Sequence, residues 1–232
     1  MKYRRFSAIF LSLLVFGATH SLYAQRITVS EKDAVPLKRG TFGRIQFGPS
    51  FLNLDQLNPV LEGKEFLPIT ENYFAVGIGI SQISGKWITG IDSYNYMIAE
   101  SNLDNQLAVL GFHYATVNAG YLFFRKGNEF FVYPLFGIGG GLTNLKSKPY
   151  DQQFPVTFRA VGWLGDVSLN FRKVGLLADG KGSRVELGFQ AGYLYVSPKS
   201  GFNLKKFEPD SAVNVNPGGP YFRFSIGIGK MH

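Results

Sequence analysis

Residues 221–229 read YFRFSIGIG, and residues 184–196 read RVELGFQAGYLYV. In the first stretch Phe222, Phe224, Ile226 and Ile228 share one face, and Arg223, Ser225, Gly227 and Gly229 share the other. In the second, Val185, Leu187, Phe189, Ala191, Tyr193 and Tyr195 oppose Glu186, Gly188, Gln190, Gly192 and Leu194. A period of two belongs to strands. The chemistry of the faces then separates two kinds of sheet. A soluble sandwich turns its apolar face inward and a polar, lysine-rich face outward. Here the second face is rich in glycine and poor in lysine, which fits apolar side chains facing lipid and small or polar ones filling a narrow lumen. Residues 73–83 repeat the pattern, with Phe74, Val76, Ile78 and Ile80 set against Gly77 and Gly79.

The composition of the whole chain agrees. Its 232 residues hold 22 Phe, 12 Tyr and 28 Gly, with only 24 Lys and Arg against 16 Asp and Glu. So many aromatics exclude a disordered chain. The absence of cysteine excludes disulfide staples, thiolate metal sites and a cysteine nucleophile. The length suits one domain or two small ones.

The amino terminus reads as a targeting segment. Lys2, Arg4 and Arg5 precede the short apolar run FSAIFLSLLVFG, and Ala24 before Gln25 fits a small-residue cleavage rule. Residues 1–24 are therefore expected to be a signal peptide, and residues 25–39 a periplasmic tail ahead of a barrel domain over 40–232. Losing three basic residues brings the charge from +8 to about +5 in the exported chain. The richest later window, 129–142, carries four glycines and a proline and is too short to span as a helix. A membrane-spanning sheet must close on itself, because an open edge leaves backbone groups unpaired in hydrocarbon.

Eight candidate strands are present, at 40–51, 73–83, 87–99, 107–124, 129–142, 155–171, 184–196 and 221–229. The fold class predicted is all-β, an eight-stranded antiparallel transmembrane β-barrel. Ser84-Gly85-Lys86 and Arg125-Lys126-Gly127-Asn128 carry tight-turn chemistry, while 173–183 is a longer link at the same end. Outer loops are expected near 52–72, 100–106, 143–154 and 197–220, with the turns facing the periplasm. Three strands are irregular. Phe158 and Ala160 oppose the parity of Val161 and Trp163, which predicts a bulge over 159–161. Pro134 removes a ladder donor from the fifth strand, and Asp92 and Asn95 interrupt the third. In the first loop, Leu54, Leu57 and Leu61 have helical spacing, and Asn58-Pro59 suits a cap and first turn. The reading is a short helix or pair of turns whose apolar side chains plug the mouth.

The Ala24-Gln25 junction, the segment GPSFLNLDQLN at 48–58, the Gly77-x-Gly79 strand and the ending at 221–229 together resemble outer-membrane β-barrel proteins of the Bacteroidetes type, relatives of the small OmpA/OmpX-like eight-stranded barrels. The resemblance spans nearly the whole exported chain. It implies the cell outer membrane as location and the barrel assembly machinery as partner during insertion, with Phe222 and Phe224 as the internal aromatic signal.

Candidate chemistry is sparse. No catalytic, cofactor-binding or metal residues are assigned, no cofactor is expected, and the chain is read as not an enzyme. His113 with Ser93 or Ser168 is the remaining pair for a lipid-modifying barrel enzyme. His113 shares parity with Ala115, Val117, Ala119 and Tyr121, the expected lipid face. The Gly137-x-Gly139-Gly140-Gly141 run lacks the Lys-Ser/Thr of a phosphate loop and reads as close packing. Lys146, Lys148, Lys199, Lys205 and Lys206 in the outer loops could meet acidic lipopolysaccharide groups. Tyr94, Tyr96, Tyr121, Tyr133, Tyr193 and Tyr195 are shared between interfacial belts and interior. Outer-membrane lipid, lipopolysaccharide and an unidentified protein at the surface loops are the partners considered, and nucleic acid is excluded by export. The function read is a structural or binding barrel. A narrow pore, an accessory barrel for export or surface assembly, and the lipid-modifying enzyme stay as alternatives. Inside, Arg223 is expected to centre an ion-pair network with Glu186 and with Asp92 or Asp166, and Arg159 is a further wall charge.

Overall fold

A computed structural model describes residues 39–231 except 56, 64–65, 70–71, 98, 104–105, 128, 149–155, 177–182, 198–201, 204–211 and 214–217. Residues 1–38, with the expected signal peptide and all of the expected tail but Arg39, lie outside the described residues, as do Lys199, Lys205 and Lys206. Eight principal strands run β1 (Gly40–Phe51), β2 (Asn72–Ser84), β3 (Trp87–Met97), β4 (Gln106–Tyr121), β5 (Phe130–Lys148), β6 (Val156–Leu176), β7 (Ser183–Val196) and β8 (Gly219–Met231). Each pairs antiparallel with its chain neighbour, and β1 pairs with β8 from Gly40 opposite Met231 to Ser50 opposite Tyr221. The sheet closes into a barrel, so its backbone groups are satisfied without an exposed edge.

Alternation drives this closure. Along β2 exposed and buried residues alternate without a break from Asn72 to Ser84. The β2–β3 connection is two residues, Gly85-Lys86, with Gly85 at φ 59°. A positive φ there is the backbone state that a two-residue hairpin requires and that glycine adopts without strain.

Several expectations are corrected. Two outer loops and one turn are shorter than the sequence suggested. Ala99–Leu103 pairs with β4 up to Leu103 opposite Gln106, so most of the expected loop at 100–106 is ladder. β5 continues to Lys148, which places Ser147 and Lys146 in a strand rather than an outer loop, with Ser147 buried. β6 runs five residues past 171 to Leu176. The bulge at 159–161 does not form. The β5–β6 register is unbroken from Ser147 opposite Val156 to Phe130 opposite Lys173, with Ala160 turned partly inward and Arg159 and Val161 outward. Alanine is small enough to face the lumen, so no parity shift is needed. Pro134 comes one residue after the β4–β5 ladder ends at Gly120 opposite Leu135, where a missing donor is tolerated.

The mouth segment folds inward. A one-turn helix, α1 (Asn58–Glu62), follows the turn at Leu54. Leu52, Leu54, Leu57, Leu61, Phe66 and Ile69 are all buried in one cluster with Tyr73, Tyr96 and Phe112 of the barrel wall. Asn58 is not the cap. Leu57 occupies that position, and the Asn58 amide instead clamps the Ile69 backbone, donating to its carbonyl at 3.0 Å and accepting from its N–H at 2.9 Å.

Candidate functional site

Every strand contributes large apolar side chains to the outer wall. Ile45, Ile78, Ile91, Val117, Ile138, Val161, Leu187 and Ile226 come from β1 to β8 in turn, each more than half exposed. A water-soluble monomer does not carry an apolar belt around its whole circumference. Toward the turn end the belt finishes in aromatics. Trp87 packs edge-on against Tyr121 at 5.3 Å, and Phe123 and Phe124 are exposed beside them. Among the tyrosines left between belt and interior, Tyr121, Tyr193 and Tyr195 face outward, whereas Tyr94, Tyr96 and Tyr133 are buried inside.

The lumen is layered. At the mouth lies the α1 plug with its apolar cluster. At the turn end Phe42, Ile83, Ile88, Leu122, Phe131, Tyr133, Leu135 and Val174 form a second apolar cluster. Between them sits a polar layer with three buried arginines, Arg44, Arg172 and Arg223, and three buried carboxylates, Asp92, Asp166 and Glu186. Equal numbers of opposite charges leave this low-dielectric layer without net charge, the condition under which buried ions persist.

The strand register decides who pairs with whom. Arg44 and Asp92 both lie opposite Gly79 of β2, one on each side. Arg44 donates to the two Asp92 oxygens at 2.9 and 2.8 Å. Gln46 and Asn118 complete the carboxylate with bonds of 2.7 and 2.6 Å. Gly79 is required here, because a Cβ at that position would collide with the Asp92 carboxylate. Arg172 and Glu186 are diagonal neighbours on β6 and β7, opposite Gly188 and Val174 respectively, and approach to 3.2 Å. Arg223 lies 3.8 Å from Asp166 and donates to the Tyr114 hydroxyl. Its guanidinium is sandwiched between Tyr94 and Tyr221 at 3.8 and 3.6 Å from the ring centroids, a strong cation–π geometry once water is excluded. Tyr221 donates to Asp166 and accepts from Gln190 at 2.9 Å. A cavity of about 10 Å³, on the order of a single water, lies among Arg44, Gln46, Tyr133, Arg172, Glu186 and Arg223.

The expected ion-pair layer therefore exists and Arg223 meets Asp166 as expected, but Glu186 and Asp92 pair with other arginines. Arg223 and Glu186 do face the lumen from adjacent strands. Arg223 stands opposite Gln190, however, and Glu186 opposite Gly227, four residues apart along the ladder. That offset is roughly 13 Å at strand rise. Arg159 faces outward and takes no part. Arg44 and Arg172 were not singled out in the sequence. The period-two parity of β1 was the signal for Arg44, while Arg172 fell one residue past the expected end of its strand.

His113 is on the outer face, opposite Asn95 on β3, with Ser93 diagonal to it on the same face. Ser168 is buried in the lumen, where it accepts from Gln190 and Asn170. The wall separates His113 from Ser168, so that pair is excluded. The glycine run of β5 packs closely against β4, with Gly139 over the Ala115 carbonyl. Among the described residues no His, Cys, Asp or Glu group has the clustering of a metal site, and no helix is long and apolar enough to cross a membrane.

No family model and no curated protein matches the chain. Among solved structures it is similar to Neisserial surface protein A (NspA), at 11% identity and a TM-score of 0.40 over 84% of this chain and 97% of the other. It is also similar to Ail, the attachment invasion locus protein of Yersinia pestis, solved with the heparin analogue sucrose octasulfate, at 14% identity and a TM-score of 0.39 over 85% and 100%. The outer membrane protease OmpT from Escherichia coli matches at 9% identity and a TM-score of 0.24 over 85% and 98%. The antiparallel ladder of eight principal strands, closed by β1 on β8, makes the fold an all-antiparallel, eight-stranded β-barrel.

Proposed function

We propose that the chain is an outer-membrane β-barrel with a structural or binding role, exported by a signal peptide removed before Gln25 and inserted by the barrel assembly machinery. The affiliation with Bacteroidetes-type barrels belongs to this reading. One observation carries it: an apolar belt on all eight strands surrounds a lumen filled by buried ion pairs and covered by an apolar cluster at each end. Such a wall is stable in hydrocarbon, and among the described residues apolar clusters at both ends stand against an aqueous path. A narrow pore would need water through the Leu54–Leu57–Leu61 plug and through the Phe42–Phe131 layer, which favours a closed barrel over a conducting one. Catalysis is not proposed either. Contact with a partner then falls to the mouth end, to the surface of the plug and the connections around it. Lys146 and Arg159, exposed on the outer wall at diagonal positions of the β5–β6 ladder, supply a basic point for lipopolysaccharide there.

The test is fractionation followed by electrophysiology. The protein should stay with outer membranes through a urea wash, begin at Gln25, and migrate differently on gels before and after boiling. In planar bilayers it should show no sustained conductance steps. Recovery as a soluble periplasmic protein would overturn the membrane reading, and large stable single-channel steps would restore the pore.

A further inference from the structure

The two ends of the barrel differ in charge. At the turn end Arg39, Lys86, Lys126, Lys173 and Lys230 are exposed, and Glu129 is the only exposed acid there among the described residues. At the mouth the described exposed charges are balanced, Asp55 and Glu62 against Lys146 and Arg159. The buried charges balance, so among the described residues the excess positive charge is gathered on one rim.

The position of these bases is as telling as their sign. Lys86 directly precedes the exposed Trp87, and its ammonium lies 6.0 Å from the Tyr121 ring. Lys126 comes two residues beyond the exposed Phe124, and Lys230 two residues beyond the exposed Ile228. Lys173 and Lys230 have the outward parity of their strands, so they leave the wall sideways rather than covering the barrel end. At strand rise each base stands roughly 3–7 Å past the last apolar side chain of its strand. The polar layer of a bilayer begins at that depth and is about 5–8 Å thick on each side. A soluble polyanion would be met by bases on the end of the barrel. Bases on the wall beside an aromatic girdle meet what surrounds the wall.

We propose that the turn-end rim is a binding ring for anionic phospholipid headgroups, in which Lys86, Lys126, Lys173 and Lys230 engage the phosphates of the adjacent leaflet. This rests on the membrane reading above. The ring would select the lipids around the barrel and hold its depth and tilt, since basic side chains near an anionic surface each add a favourable charge contact.

Trp87 reports on the ring, and Trp163, the other of the two tryptophans, reports on the mouth side. The full chain is reconstituted as Trp163→Phe and, separately, as Trp87→Phe, in vesicles of phosphatidylcholine and phosphatidylglycerol. Either lipid carries brominated acyl chains. Brominated phosphatidylglycerol should quench Trp87 with a relative binding constant roughly two- to five-fold above that of phosphatidylcholine, and the preference should fall at high salt. Trp163 should show a ratio near one. Replacing the four lysines by glutamine should abolish the Trp87 preference, and replacing them by arginine should keep it, which separates lost charge from lost fold. Equal quenching of Trp87 by the two lipids overturns the ring. Binding of polyglutamate through these lysines without lipid preference also overturns it, assigning the rim to an aqueous partner. Absence of quenching of either tryptophan by either lipid instead removes the membrane reading itself.

Discussion

Arg44, Gly79 and Asp92 occupy one level on three consecutive strands, and the missing side chain in the middle lets the outer two meet. The same logic organises the other charges, whose partners are set by register rather than by nearness in sequence. Breaking one buried pair leaves an uncompensated ion and costs about 3–5 kcal/mol, whereas replacing both members by neutral groups recovers much of the loss. Arg172→Met should therefore destabilise the barrel by about that amount in urea unfolding from vesicles. Adding Glu186→Gln should restore a substantial part. Arg223→Met combined with Glu186→Gln should show much weaker coupling, because Arg223 is held by Asp166 and the tyrosines. A stronger coupling for Arg223 with Glu186 than for Arg172 with Glu186 would refute the pairing described.

At the scale of elements, the α1 segment is too short to hold itself as a helix. Its stability comes from four buried leucines, from the Asn58 clamp on Ile69, and from the Asn53 N–H bond to the Gly218 carbonyl at 3.0 Å. Each leucine contributes roughly 1.5–3 kcal/mol by burial. Leu54→Asp with Leu57→Asp should undock the segment, seen as faster amide exchange over 57–61 with the strand amides still protected. Conductance should remain absent in this variant, because the polar layer and the Phe42–Phe131 cluster still block the lumen. Sustained current would show that the plug alone seals the barrel.

For the whole molecule, closure and orientation are separate questions. Closure follows from the β1–β8 pairing. Orientation is open to a chemical test, since the chain is naturally free of cysteine. Ser147 is unsuitable as a reporter because it is fully buried in β5. Glu62→Cys on the exposed face of α1 and Lys126→Cys at the turn end are better placed. An impermeant thiol reagent on intact cells should label position 62 and spare position 126. The reverse pattern would turn the barrel over, and labelling of both would contradict insertion.

Period-two alternation was readable along the chain because side-chain direction in a strand is local geometry. It sorted Phe222, Ile226 and Leu187 to the outer wall and Arg223, Glu186 and Gly79 to the lumen, and it yielded eight strands and an apolar plug from the leucine spacing. The ends of strands were less legible. Ladder hydrogen bonds can extend a hairpin through polar residues such as Lys146, Arg172 and Ser147, whose types give no such signal. Of the charged partners only Arg223 with Asp166 was legible. A pair such as Arg44 with Asp92, or Arg172 with Glu186, depends on the relative register of strands distant in sequence and on a glycine or diagonal position between them. Amino-acid order alone determined, through side-chain parity, which face of each regular strand enters the lumen. Only the closed sheet, by placing those strands at fixed offsets, decided which side chains touch.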